Sequence, residues 1–274
     1  MTGNIACGDG STLPDSLSVH IGEVEFLLEQ ATRTRRPMNL VIAPVELHRR
    51  NLKLRLSTAN LPLDAFRFTG PVNVASQLLE TMGRESKSLD RVDRLSVLND
   101  LLSAENEATE RFRMILGGEP AQNVKAVEQA RTEIETVTNY HPTRVNAFRQ
   151  TAESVPFPID TDAEDVLTGT LAVERGLRRR TSKAVADGHV IRRAIRELDA
   201  TDGAVWDKTY PSINQVAVVG LSSVPAPLAD LITVLTRTCG VEVHLSLRNG
   251  SGPFLVQRLP DLIGIANPGM VVVG

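Results

Sequence analysis

An α/β fold, with a parallel sheet flanked by helices and interrupted by a long all-helical insertion, is what three features of this 274-residue chain predict. Short runs rich in Val, Ile and Leu, bounded by Pro, Gly or Asn, occur near both ends of the chain, as buried parallel strands do. Stretches with helical spacing separate these runs into strand, helix, strand units, whose crossovers are right-handed in a parallel sheet. From about Val72 to Ala204 the strand signal gives way to helical periodicity.

In chain order, SLSVHIGEVEFLLEQATRTRRPMNLVIAP (16–44) reads as a short alternating strand, a turn at Gly22, an amphipathic helix, a basic turn and an apolar strand at 39–44. The helix needs only the pattern Val24, Phe26, Leu27, Leu28 and Ala31. VELHRRNLKLRLSTANLP follows as a helix-compatible stretch carrying Val45, Leu47, Leu52, Leu54 and Leu56, ending near Asn60 and Pro62. FRFT (66–69) is the next strand. In the middle region LDRVDRLSVLNDLL spaces Leu89, Val92, Leu95, Leu98 and Leu101 three apart, and VKAVEQARTEIETV and VIRRAIREL are also helical; Pro156 and Pro158 divide the region in two. Trp206 and Tyr210 read as packing residues where the chain re-enters the sheet. VAVVGL (216–221) and VEVHLSL (241–247) are strands joined by a helix in PAPLADLITVLTRTCG, with Pro225 suited to its start and Gly240 to its stop. MVVV (270–273) reads as a closing strand. The plan is a flexible leader at 1–15, an α/β domain from 16–85 and 205–274, and a helical insertion at 86–204.

Composition sets limits on function. Hydrophobic residues make up 42% and charged residues 23%, the net charge is −3, and no run of about 18 apolar residues appears, so no membrane span is expected. MTGNIACGDG has neither a basic flank nor an apolar core and is not a signal peptide; the expected compartment is the cytoplasm. Cys7 and Cys239 are too few and too far apart for a disulfide framework or a zinc site. His20, His48, His141, His189 and His244 show no metal-ligand spacing and read as structural. No metal is expected.

The opening stretch has the layout of a phosphate-binding strand, loop and helix, but not its chemistry. Such a loop needs glycines so that backbone N–H groups converge on phosphate, a Lys to counter the charge, and a Ser or Thr to hold magnesium. With Gly22 as the glycine before the lysine, Glu23 stands in the lysine position, Val24 replaces the hydroxyl residue and Leu17 occupies the first glycine. A carboxylate there repels a triphosphate. The same residues also satisfy an ordinary strand, turn and helix.

EFLLEQATRTRRPMNLVIAPVELHRRNLKLRL, FRFTGPVNVASQLLETMG and YPSINQVAVVGLSSVPAPLADLITVLTRTCGVEVHLSL together resemble the first helicase-like domain of AddB and RecC type subunits of helicase–nuclease complexes, in the UvrD-like helicase superfamily. The similarity covers about residues 16–250 in order and spacing, through loosely matching motifs. It implies a RecA-like parallel sheet and a nucleotide loop at Gly22, Glu23 and Val24. Val219 stands where the family has an acidic residue, before Gly220. Loss of both halves implies a subunit that does not hydrolyse ATP, with no cofactor. Pro44 matches the first single-strand contact motif, and Thr69 with Asn73 the Thr-rich turn that touches backbone phosphates. Thr69 ending a strand and Asn73 capping a helix is the plain alternative. The implied partners are DNA, single-stranded or at duplex ends, and a helicase or nuclease subunit.

Residues 172–196 hold seven Arg and one Lys against two acids, about +6. Arg175, Arg178, Arg179, Arg180, Lys183, Arg192, Arg193 and Arg196 form either a phosphate-neutralising stripe or a solvated face with acidic neighbours. LDRVD (89–93) resembles the metal-binding motif of the nuclease module of such subunits, but lacks its glycine and its following acid-x-Lys strand; Asp90 and Asp93 read as exposed helix residues. The expectation is a DNA-binding or scaffold component of double-strand break repair without activity of its own. Two alternatives stay open: an ATP- and magnesium-dependent helicase or exonuclease subunit completed by another chain, and a DNA-binding regulator unrelated to helicases.

Overall fold

The computed structural model describes residues 13–22, 25–33, 38–154 and 163–273. Its elements run β1 (Leu17–Ile21), α1 (Glu25–Arg33), β2 (Asn39–Ile42), α2 (Glu46–Thr58), β3 (Phe66–Thr69), α3 (Pro71–Thr81), α4 (Arg91–Leu102), α5 (Glu107–Leu116), α6 (Val124–Thr138), α7 (Pro142–Ser154), α8 (Ala163–Arg180), α9 (Asp187–Ala200), α10 (Ala204–Thr209), β4 (Gln215–Leu221), α11 (Ala226–Arg237), β5 (Glu242–Leu247) and α12 (Gly252–Ile263). The chain divides into two compact units, one of residues 1–83 with 194–268 and one of 84–193 with 269–274. Among the described residues no helix is long and apolar enough to cross a membrane.

The first unit is α/β with a RecA-like sheet. Among the described residues the sheet has five strands in the order β1-β5-β4-β2-β3, every pairing parallel. Burial on both faces explains the apolar strand sequences: all four residues of β2 are buried, and Val216, Ala217, Val218 and Val219 of β4 with them. Alternation sends Val41, Ala43, Phe66, Ala217 and Val219 to one face, where they pack with Leu27, Ala31, Leu52 and Leu56 of α1 and α2. Helix α11 is buried almost along its length, from Ala226 to Thr236. Trp206 and Tyr210 are buried, with ring centroids 4.6 Å apart. In α2 only Leu52 and Leu56 are buried, whereas Val45, Leu47 and Leu54 are exposed. Alternate leucines in LKLRL turn about 200° apart on a helix, so one stripe cannot bury them all.

Parallel strands joined by helices place every strand end on one edge of the sheet, where loops carry function. At this edge the β4–β5 register slips by one residue between Val218 and Leu221, a bulge centred on Gly220, whose φ is +75°. The bulge breaks the strand's alternation just beyond Val219.

The second unit is helical. One cluster joins Leu98, Leu101 and Leu102 of α4, Ala108 and Phe112 of α5, Val127 of α6 and Ala172, Val173 and Leu177 of α8. Truncating one of these leucines costs about 2–5 kcal/mol by transfer and cavity formation. Val92, in the expected three-residue stripe, is 76% exposed. Three-residue steps fall 60° short of a full turn each, and burial settles instead on Leu98, Leu101 and Leu102. Asp90 caps α4, its carboxylate accepting the Asp93 N–H at 2.8 Å, and both aspartates are exposed. Asn106 caps α5 through the Ala108 and Thr109 N–H groups.

The closing strand expected at MVVV is not formed. Val271 and Val273 instead pack with Ile134, Tyr140, Val145, Leu167 and Leu171 of the helical unit. The Val272 N–H donates to the Tyr140 carbonyl at 3.0 Å, so the backbone polar groups of this segment are met by helix-connecting chain rather than by a sheet edge.

Candidate nucleic-acid interface

The carboxyl edge of the sheet gathers the loops after each strand. Gly22 follows β1 with φ +71°, and its N–H donates to the Leu247 carbonyl at 2.7 Å. A Cβ at Gly22 would fall on the side chain of Asn249, which belongs to the turn after β5; Gly22 is thus both left-handed and covered by that turn. Glu23 and Val24 lie outside the described residues. Val219 is 2% exposed and belongs to the core under α1 and α2.

Pro44 is exposed between β2 and α2. Thr69 ends β3, is buried, and its hydroxyl donates to the Gly70 carbonyl at 3.3 Å. The Ala43 N–H donates to the Thr69 carbonyl at 3.0 Å, and Ile42 pairs with Thr69 in register, so the Pro44 and Thr69 turns are neighbours. Asn73 is exposed in the first turn of α3 and is not its cap: Gly70 holds that position and offers no side-chain acceptor. Helix α2 likewise begins at Val45 with no side-chain cap. Both helix starts therefore present backbone N–H groups with no side-chain acceptor toward this edge.

His48, read from the sequence as structural, and Arg248, not singled out there, stand at the same edge. The Arg248 guanidinium Nη2 donates to His48 Nε2 at 2.5 Å, across 200 residues of chain. Burial first, and Arg248 second, hold the His48 imidazole below its ordinary 6.5. A Cβ at Gly220 would meet His48 Nδ1, so the bulge makes room for the ring. The only hint in the sequence was position, since Arg248 and Asn249 directly follow the VEVHLSL strand.

Elsewhere on the sheet, β1 and β5 bring together two histidines that are 224 positions apart. His20 Nε2 and His244 Nδ1 lie 3.2 Å apart, and Phe26 stacks on His20 with centroids 4.1 Å apart. Burial holds His244 below its ordinary 6.5 against the opposing effect of Glu242. No group of three or more His, Cys, Asp or Glu positioned for a metal occurs among the described residues.

The basic window of the helical unit splits by burial. Arg192 is 1% exposed, with its Nη1 2.8 Å from Glu135 Oε1 and donating to Asn139 Oδ1 at 2.5 Å. The Glu135 contact is an ion pair by distance without hydrogen-bond alignment. Arg131, absent from the expected stripe, is equally buried and meets Glu128, Glu135 and Glu174 at 2.8, 3.1 and 3.1 Å. Arg178 donates to Glu174 at 2.9 Å and to the Val273 carbonyl at 2.5 Å. Arg193 is half-buried and donates to His189 Nε2 and to the carbonyl of Ser182. Arg175 meets Glu107 at 3.6 Å. Arg179, Arg180, Lys183 and Arg196 are exposed.

Comparison with known proteins adds one finding. The family model described as halobacterial UvrD-like protein matches residues 5–274. No curated protein matches the chain.

Proposed function

We propose, from this chain's membership of the halobacterial UvrD-like family, which makes it helicase-related, that it is an AddB-like DNA-binding or scaffold component of double-strand break repair and recombination. In this reading it holds single strands or duplex ends at the carboxyl edge of its sheet, beside a helicase or nuclease subunit, and does not hydrolyse ATP. The observation that carries the reading is the contrast along that edge. At Gly22 the Asn249 side chain covers the glycine where the loop begins, and the position that the resemblance assigns to a magnesium-orienting carboxylate is taken by Val219, buried in the apolar core. The residues present do not fit magnesium-bound ATP. At Pro44, Thr69 and Asn73, by contrast, two helix starts stand open beside each other, an arrangement suited to phosphate oxygens and independent of hydrolysis.

Arg179 and Arg180 join this reading as candidate phosphate contacts by virtue of their exposure; Arg192 and Arg178, committed to Glu135 and Glu174, do not. Two measurements test the proposal. Titration calorimetry with ATP and magnesium gives no binding heat, and clear binding overturns the reading of a lost motor. Fluorescence anisotropy with a single-stranded oligonucleotide gives salt-sensitive binding, weakened about fivefold in Asn73→Ala with Thr69→Val, as expected for lost backbone-phosphate contacts.

A further inference from the structure

We infer that Arg248 and His48 form a phosphate-binding subsite on the carboxyl edge of the sheet, separate from the loop at Gly22. The inference rests on the proposed reading only in that the phosphate belongs to a DNA strand; the same chemistry would accept the phosphate of a free nucleotide.

Arg248 is exposed, and among the described residues the polar side-chain partner of its guanidinium is His48, at 2.5 Å. A guanidinium donates and cannot accept, so the His48 Nε2 lone pair is the acceptor and the ring proton resides on Nδ1. That Nδ1 is buried against Gly220 and has no hydrogen-bond partner. The pair is therefore a cation propped by a neutral ring, with no carboxylate in contact among the described residues. Other arginines of this chain are built differently: Arg49, Arg55, Arg113 and Arg131 each meet a glutamate. The contact with His48 brings no opposite charge to Arg248. What the contact does is fix the direction of the fork, leaving the donors not used on His48 open to an oxygen anion.

The surroundings favour that anion. His48 lies in the first turn of α2, whose start has no side-chain cap, so partial positive charge accumulates beside it. The carboxylate at that helix start, Glu46, is engaged by Arg49 and Arg50. The hydroxyl of Ser251, in the turn that carries Arg248, is buried without a partner. The Gly220 bulge is the device that admits the ring, because any side chain there would displace His48. Three separate strand ends, those of β2, β4 and β5, thus converge on one cation.

The test uses the full chain with two probes: a fluorescent oligo-dT, followed by anisotropy across a salt series, and inorganic pyrophosphate, followed by calorimetry. Arg248→Gln weakens oligonucleotide binding about tenfold and lowers its salt slope by about one ion, while the thermal midpoint stays unchanged because the side chain is exposed. His48→Leu, which fills a similar space but has no acceptor for the Arg248 guanidinium, gives a smaller loss in the same direction. A loss confined to pyrophosphate also supports the subsite and assigns it to a free nucleotide. If Arg248→Gln leaves both probes unchanged while Asn73→Ala with Thr69→Val weakens DNA binding, the subsite is overturned and the proposed function stands. If the wild-type chain binds neither probe, both fall.

Discussion

In the helical unit Arg131 and Arg192 lie buried among Glu128, Glu135 and Glu174, whereas at the carboxyl edge of the sheet Arg248 is exposed with a neutral imidazole for company. The first arrangement returns to the protein what desolvation costs, through ion pairs, a Tyr140 ring 5.2 Å from the Arg192 guanidinium, and a Tyr140 hydroxyl donating to the Arg131 carbonyl. The second leaves a cation's hydrogen-bonding capacity open. Arginine density along the chain is highest in the first region, yet there Arg131 and Arg192 are committed to glutamates, while Arg248 at the sheet edge is not. Burial, and not count, separates an arginine that holds a core from one that can meet a ligand.

The sharpest way to break this contrast is to remove a buried partner. Arg131→Met leaves Glu128, Glu135 and Glu174 short of their common cation and is expected to cost about 3–5 kcal/mol in denaturant unfolding. A loss below about 1 kcal/mol would place Arg131 with the surface ion pairs instead.

Acid should act on the same network. Burial pushes Glu135 upward, but Arg192 and Arg131 outweigh it and hold its carboxyl below the ordinary 4.5. A depressed carboxylate contributes stability that is complete above the unfolded value and lost as pH falls through the folded one. The helical unit should therefore weaken below about pH 4.5, and Glu135→Gln should flatten that part of a stability-versus-pH curve.

At the sheet edge the backbone is the vulnerable part. Gly220→Ala puts a Cβ onto His48 at a φ of +75°, and is expected to cost about 1–3 kcal/mol while releasing Arg248 from its prop. The readout is a lower thermal midpoint together with weaker oligonucleotide binding. The smallest effect on stability belongs to Arg179→Glu with Arg180→Glu: both side chains are exposed, so unfolding should shift by less than about 0.5 kcal/mol even if DNA retention at low salt is lost.

Much of the fold was legible because local chemistry dictates it. Val, Ile and Leu runs bounded by turn residues favour doubly covered strands, and the runs around Val41 and Val218 became β2 and β4. Trp206 and Tyr210 were legible as packing residues because isolated large aromatics have few other fates. MVVV was misread as a strand because apolar, β-branched composition satisfies a helical unit's core as well as a sheet, and only the available neighbours, Ile134 and Leu171 among them, settle which. Val92 and Leu54 lie in helices, as read, but their exposure was not legible, because a three-residue or two-residue spacing of apolar residues does not close on a helix.

That Pro44, Thr69 and Asn73 lie at one edge was legible in the sequence, since each stands at or just after a strand end and strand ends share one edge in a parallel sheet. The pairing of His48 with Arg248 could not, because it joins residues 200 apart whose meeting depends on strand order and on a one-residue bulge. Nor could the fate of Arg192. A sequence carries charge and apolar content residue by residue, so it determined most of the segments that would be strands or helices, the last run MVVV being the exception. Desolvation is a property of three-dimensional enclosure, and so packing alone decided which arginines were neutralised and which remained open to an anion.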